Sequence, residues 1–183
     1  NSASFVSTKI DNTFFSNINL QGTNFSHTSD IGSRANFNGA NMINSVLRNA
    51  DLCGTLFKKS ILDNVYFVDT MFHKLDFTFA SLKNTNFSGK DMRSLTLIGA
   101  DFTNSDLTNT NFSNIKEKGI PAHLKYTKFI NADFRGANLD YTNFESADLR
   151  TANMSGVDLH KALICGGIFD NVNFTNANLS GLD

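Results

Sequence analysis

The chain has no Trp, a single Pro and two Cys among its 183 residues. Two thiols cannot build the disulfide framework of a small secreted domain. Neither charge sign dominates. Sixteen Lys and Arg stand against 17 Asp and Glu, for a formal charge of −1. That balance excludes a strongly basic nucleic-acid binder, so direct nucleic-acid binding is not expected. No apolar run approaches the ~18 residues of a membrane span, and no signal-peptide pattern opens the chain. Catalytic motifs are missing too. There is no HExxH, no GxSxG and no phosphate-cradling Gly-rich loop. The four His (His27, His73, His123 and His160) are scattered, and Cys53 and Cys165 read as unpaired surface thiols. His160 and Cys165 could share a neighbourhood, but two ligands do not make a metal site. No catalytic residue, cofactor or metal is expected.

What the chain does have is 18 Phe and 25 Asn. Their placement is periodic. From Ala132 to Gly181 an apolar residue recurs every five positions: Phe134, Leu139, Phe144, Leu149, Met154, Leu159, Ile164, Phe169, Phe174 and Leu179. The same register runs from Phe5 to Phe25, from Phe37 to Phe112, and from Leu124 to Leu179, for 33 repeats. Sixteen of the 18 Phe occupy the centre of a repeat, and only Phe14 and Phe79 do not. A small residue usually stands two places before the centre, and Asp or Asn one place before it. The register slips between Phe25 and Phe37 and between Phe112 and Leu124. The segments 28–34 and 115–121 are therefore seven-residue interruptions, each expected to stand in for one five-residue side. The second holds Pro121 and the run Lys116-Glu117-Lys118.

Period five fits neither the helix nor the strand. It requires a corner every five residues, and four such sides close a square coil. Coils stacked at the ~4.8 Å spacing of a sheet bury the central residues along one axis. The small residue two places earlier also points inward, where a narrow interior has no room for a second large side chain. Asn, Asp, Ser, Thr and Gly suit the corners, through side-chain bonds to the backbone and tolerance of left-handed geometry. The Asp and Asn column is thus a product of the repeat rather than paired acid–base machinery. Lys90 breaks the pattern at a small inward position, so its ammonium must reach a corner or find a partner. Leu75, Leu95 and Ile18 overfill the same position and predict local widening.

Blocks such as Ala-Asp-Phe-Arg-Gly (132–136) and Ala-Asn-Leu-Ser-Gly (177–181) resemble the pentapeptide-repeat family, A-(D/N)-(L/F)-x-x, over nearly the whole chain. The resemblance implies an all-β fold, a right-handed quadrilateral parallel β-helix of about 8 to 9 coils, forming a single domain over 1–183. It brings in two partner classes. Some members mimic DNA and protect DNA gyrase and topoisomerase from quinolones. Others form rods in bacterial effectors, including HECT-like ubiquitin ligases, where the rod would recruit substrate. The near-zero charge weighs against the mimic.

The reading carried forward is a non-catalytic scaffold that binds a protein partner. Its place would be the bacterial cytoplasm, or a host cell if it belongs to a delivered effector. Four consecutive repeats carry an apolar residue where Asp or Asn is usual: Leu56, Ile61, Tyr66 and Met71. With Val68 and Phe79 they form the candidate partner-binding surface. Leu163 with Ile168 is a smaller departure of the same kind. Counting sides places Asp51, Asp91 and Asp133 together, in company with Lys74, Arg93 and Arg135. Solenoid ends expose core groups, so end-to-end homodimerisation is also expected.

Overall fold

The computed structural model describes residues 3–10, 13–26, 28, 35–113 and 124–182. The chain forms a right-handed quadrilateral β-helix whose coils are joined by isolated parallel bridges. No helix occurs among the described residues. One coil is 20 residues, as the bridges Asn36 to Leu56, Asn41 to Ile61, Val46 to Tyr66 and Asp51 to Met71 record. These four bridges lie on four different sides and define four walls. Val46, Tyr66, Asp106 and Asp133 belong to the first wall, and Asp51, Met71, Asp91 and Asn111 to the second. The third carries Asn36, Leu56, Asp76 and Thr96, and the fourth Asn41, Ile61, Ser81 and Asp101.

Each side is built the same way. The side of Phe57 is representative. Thr55 and Phe57 point inward and are fully buried. Lys59 takes left-handed geometry with φ 57°, and the Ser60 N–H closes the corner on the Phe57 carbonyl at 3.1 Å. Of the described non-glycine residues held at positive φ, ten are Asn, the side chain that best tolerates that geometry. The Asp or Asn before the centre has a local task. Its carboxyl or amide oxygen accepts the N–H two residues on, as Asn36 does from Asn38 at 2.9 Å and Asp101 from Thr103 at 3.1 Å. The axis is filled by stacked rings. Phe57 lies 5.2 Å from Phe37 and 5.2 Å from Phe77, with planes within 15°.

The two interruptions differ. Across the first, Phe14 bridges Asn36 and Asn24 bridges Val46, an offset of 22 residues. That is one coil plus two residues, the arithmetic of a lengthened side. Across the second, Asp101 bridges Lys128, Asp106 bridges Asp133 and Asn111 bridges Asn138, an offset of 27. That is one coil plus seven. The expectation that 115–121 replaces a side is corrected: the side of Leu124 follows the side of Phe112 directly, and 115–121 themselves lie outside the described residues. The placement of Asp133 is corrected with it. Asp133 stands over Asp106 on the first wall, not with Asp51 and Asp91 on the second. His27, His123, Pro121, the Lys116-Glu117-Lys118 run and most of 28–34 lie outside the described residues.

Candidate interaction site

The six residues singled out above are spread around the rod. Tyr66 and Val68 share the first wall, 59% and 49% exposed, directly above Val46. Met71 stands on the second wall at 64% and Ile61 on the fourth at 38%. Leu56 on the third wall is only half-buried rather than exposed, held between Asn36 and Asp76 in the ladder. Phe79 occupies a corner of the third wall at φ 56°, and its ring covers Gly99 in the next coil. A Cβ at Gly99 would meet that ring at 2.4 Å, so a side chain there has to push the Phe79 ring aside and is strained besides by the positive φ of 64°. A flat partner reaches one wall or two, so these residues form no single surface. The part that does come together is Val46, Tyr66 and Val68.

Beside that group the ladder is open. Tyr66 makes no bridge to Asn86, and Met71 none to Asp91. Below the break the bonds are regular: Tyr66 N–H to the Ser45 carbonyl at 3.0 Å, and Leu47 N–H to the Tyr66 carbonyl at 2.9 Å. Above it they are regular again, with Phe87 N–H on the Asp106 carbonyl at 2.8 Å and Asn111 N–H on the Lys90 carbonyl at 3.0 Å. On the third and fourth walls the same two coils stay joined, through Phe77 N–H to the Thr96 carbonyl and Leu82 N–H to the Asp101 carbonyl, both 2.8 Å. The coils are therefore parted on two adjacent walls and closed on the other two. The result is a cleft of about 480 Å³ lined by Val65, Tyr66, Val68, Asp69, Asn86, Ser88 and Lys90, among others. Asn138 and Asp158 on the second wall also form no bridge.

The residue that fails the repeat explains the opening. Lys90 stands in the inward column that holds Thr70 one coil below and Thr110 one coil above, both buried. A lysine cannot be buried there as an isolated charge without a large desolvation cost. Its Nζ instead donates to the Thr70 carbonyl at 3.3 Å and lies 5.6 Å from the centre of the Phe72 ring. The Thr70 carbonyl is the acceptor that the Asp91 N–H would take in a regular ladder, so the ammonium displaces a ladder bond. Burial holds the Lys90 pKa below its ordinary value, and the charge of Asp69 offsets part of that. Phe72 is only half-buried, and the corner bond from the Leu75 N–H to its carbonyl is absent. The Lys74 N–H, which in a regular ladder would reach the Arg93 carbonyl, donates to the Ser94 hydroxyl at 3.2 Å. The wall that carries Leu75 and Leu95 stays closed, with the Thr96 N–H on the Leu75 carbonyl at 3.0 Å, so the ladder is not parted at the two leucines. Both leucines are themselves buried. Ile18 is 42% exposed, in the first described coil.

Charge on the walls is neutralised locally. Arg93 pairs with Asp91 at 2.6 Å, Arg135 with Asp133 at 2.7 Å and Arg150 with Asp148 at 2.7 Å. In each case the arginine hydrogen bond holds the carboxyl below the usual carboxylate range. The last described coil is different again, with Leu159, Ile164, Phe169, Phe174, Leu179 and Leu182 enclosing an apolar hollow of about 400 Å³. Among the described residues no three His, Cys, Asp or Glu converge as a metal site requires, and no helix is long and apolar enough to cross a membrane.

Square coils, a five-residue side and a ring-filled axis define a repeat scaffold, and comparison with known proteins gives its family. The pentapeptide-repeat family matches in eight copies, over residues 33–67, 54–89, 76–114, 122–156 and 152–183. The chain belongs to the pentapeptide-repeat family. No curated protein sequence matches it significantly. Among solved structures it is similar to HetL, involved in heterocyst differentiation regulation in the cyanobacterium Nostoc sp. strain PCC 7120. The identity is 18% and the TM-score 0.43, over 94% of this chain and 90% of that one. It is similar also to trypsin-treated QnrB1, a plasmid-mediated fluoroquinolone resistance protein. There the identity is 18% and the TM-score 0.47, over 100% and 90% of the two chains.

Proposed function

We propose that this chain is a non-catalytic scaffold that holds a protein partner against its first wall. The observation that carries the reading is the exposed pair of Tyr66 and Val68 above the half-buried Val46, the apolar group set beside the open cleft. Outward apolar residues side by side on one wall are what a partner would desolvate. The regular walls offer mainly the polar side chains that the corners consume for their own hydrogen bonds.

The Asp–Arg pairs argue against duplex mimicry. A DNA mimic needs an uninterrupted row of negative charge, and here three carboxylates of the repeat column are each covered by an arginine two residues on.

The test is a pull-down with Tyr66→Asp and Val68→Asp. Both side chains are outward, so the coil folds and the circular dichroism spectrum is unchanged. Partner capture falls by at least about tenfold, since a charge on a desolvated contact costs well over 1.4 kcal/mol. Capture at the wild-type level by both folded variants removes the first wall from the interaction.

A further inference from the structure

Where two coils meet normally, three backbone bonds tie a wall. Between the coils of Phe87 and Leu107, the Asp106 N–H donates to the Thr85 carbonyl at 3.1 Å. The Phe87 N–H donates to the Asp106 carbonyl at 2.8 Å, and the Gly89 N–H to the Thr108 carbonyl at 2.9 Å. One coil lower the matching groups are the Val65 carbonyl, the Phe67 N–H and the Asp69 N–H. None of them bonds to Asn86 or Ser88. Val65 and Phe67 are 3% and 2% exposed, so two of these groups are shielded from water, while Asp69 stands exposed at the mouth. Buried backbone polar groups without partners are costly, and a ligand that pairs them recovers that cost.

The chemistry around the edge selects the ligand. Acceptor, donor and donor in that order are the groups a neighbouring strand engages. The side chains projecting beside them are Tyr66 and Val68. At the far end stands the Lys90 ammonium. It uses one of its three donors on the Thr70 carbonyl and forms no ion pair among the described residues. Asp69 lies close enough to temper that charge, which favours one carboxylate over a doubly charged phosphate. A cleft of about 480 Å³ is within the range that holds small ligands and short peptide stretches.

We propose that the cleft binds a short extended peptide segment of a partner protein, laid parallel to Val65–Asp69 in the register left by Asn86–Ser88. The peptide residue opposite Tyr66 donates its N–H to the Val65 carbonyl and accepts from the Phe67 N–H. The carbonyl two residues on accepts from the Asp69 N–H. Side chains at those two positions lie beside Tyr66 and Val68 and are apolar. The residue two places further is Asp or Glu, and its carboxylate accepts from Lys90. The residue between the two apolar positions takes the register of Phe87 and faces inward, where the Phe67 and Phe87 rings stand 5.5 Å apart, so it is glycine, and the recognised pattern is apolar, Gly, apolar, any, acidic. This inference rests on the scaffold reading and gives it a chemistry, strand addition at an internal gap rather than at a sheet end.

The experiment is selection of random heptapeptides on the whole chain, with counter-selection on Lys90→Thr. Threonine already occupies this column at Thr70 and Thr110, so the variant folds and its ladder closes. Enriched peptides carry the stated pattern. Synthetic copies bind Lys90→Thr and Tyr66→Ala at least about tenfold more weakly in fluorescence anisotropy, and replacement of the acid by its amide gives a similar loss. Hydrogen exchange on the free protein supplies a readout that needs no peptide. The Phe67 and Asp69 amides exchange rapidly in the wild type, slowly in Lys90→Thr, and slowly again when peptide is bound. Peptides that bind Lys90→Thr equally well, or the absence of any enriched pattern, overturn the proposal. Protection of both amides in the free wild type overturns it as well. If that protection is found while Tyr66→Asp still abolishes partner capture, the cleft inference falls and the first-wall reading stands.

Discussion

Phe57 shows how much one residue of this repeat supplies. It is fully buried between two parallel rings, and its corner depends on the carbonyl it offers to Ser60. Phe57→Ala empties a coil that neighbouring coils cannot collapse to fill. The expected loss is about 3–5 kcal/mol, read from urea unfolding. The acidic column behaves otherwise. Asp148 accepts from the Arg150 N–H at 3.2 Å and from the guanidinium at 2.9 and 2.7 Å. Its carboxyl is held below the ordinary range in the folded chain. A depressed folded pKa adds stability above the unfolded value, near 3.9, and loses it as pH falls through the folded value. Asp148→Asn keeps the N–H acceptor and removes the charge. Its stability therefore falls less steeply than the wild type's below pH ~4, and the two curves converge at the acid end, checked by thermal melts across pH. Both roles were readable from the sequence, because the repeat fixes which residue points inward and which oxygen faces the corner. The fate of Lys90 was readable only as a conflict. Its spacing marks a lysine in an inward column, but not the carbonyl it captures, because that choice depends on Thr70 and Phe72 in the coil below.

At the scale of the side and its wall, five-residue counting gives the coil but not every register. A gap of 12 between Phe112 and Leu124 describes one lengthened side as well as it describes two adjacent sides with seven residues set between them. The two differ only in who stacks on whom, and stacking is long-range information. The ladder decides it, since Asp101 lies against Lys128. Residues paired in a parallel bridge have Cα atoms within disulfide reach. Asp101→Cys with Lys128→Cys, in a background lacking Cys53 and Cys165, therefore cross-links under mild oxidation and raises the melting temperature. Efficient cross-linking of Asp101→Cys to a cysteine at position 123 instead would restore the shorter register. The candidate surface was partly legible for the same reason. Tyr66 and Val68 could be placed together because they belong to one side. Leu56, Ile61 and Met71 could be recognised as departures, but they sit on three other walls, one quarter-turn apart.

At the scale of the molecule, the stacked coils form one continuous core from Ile10 to Ala162, with Ile164, Phe169, Val172, Phe174 and Leu182 packed against it but partly open. Each coil contacts only its neighbours, so stability is close to a sum of coil and interface contributions. The interface opened by Lys90 is weaker than those around it, and it lies inside the rod rather than at an end. That position has a mechanical consequence. A square beam fastened on all four walls resists bending in every direction. This one is fastened on only two adjacent walls at the Lys90 level. It bends there first, about the corner where the third and fourth walls meet, and under load along its length it parts there first. The molecule is in that sense two stiff segments sharing one compliant joint, and whatever fills the joint sets the angle between them.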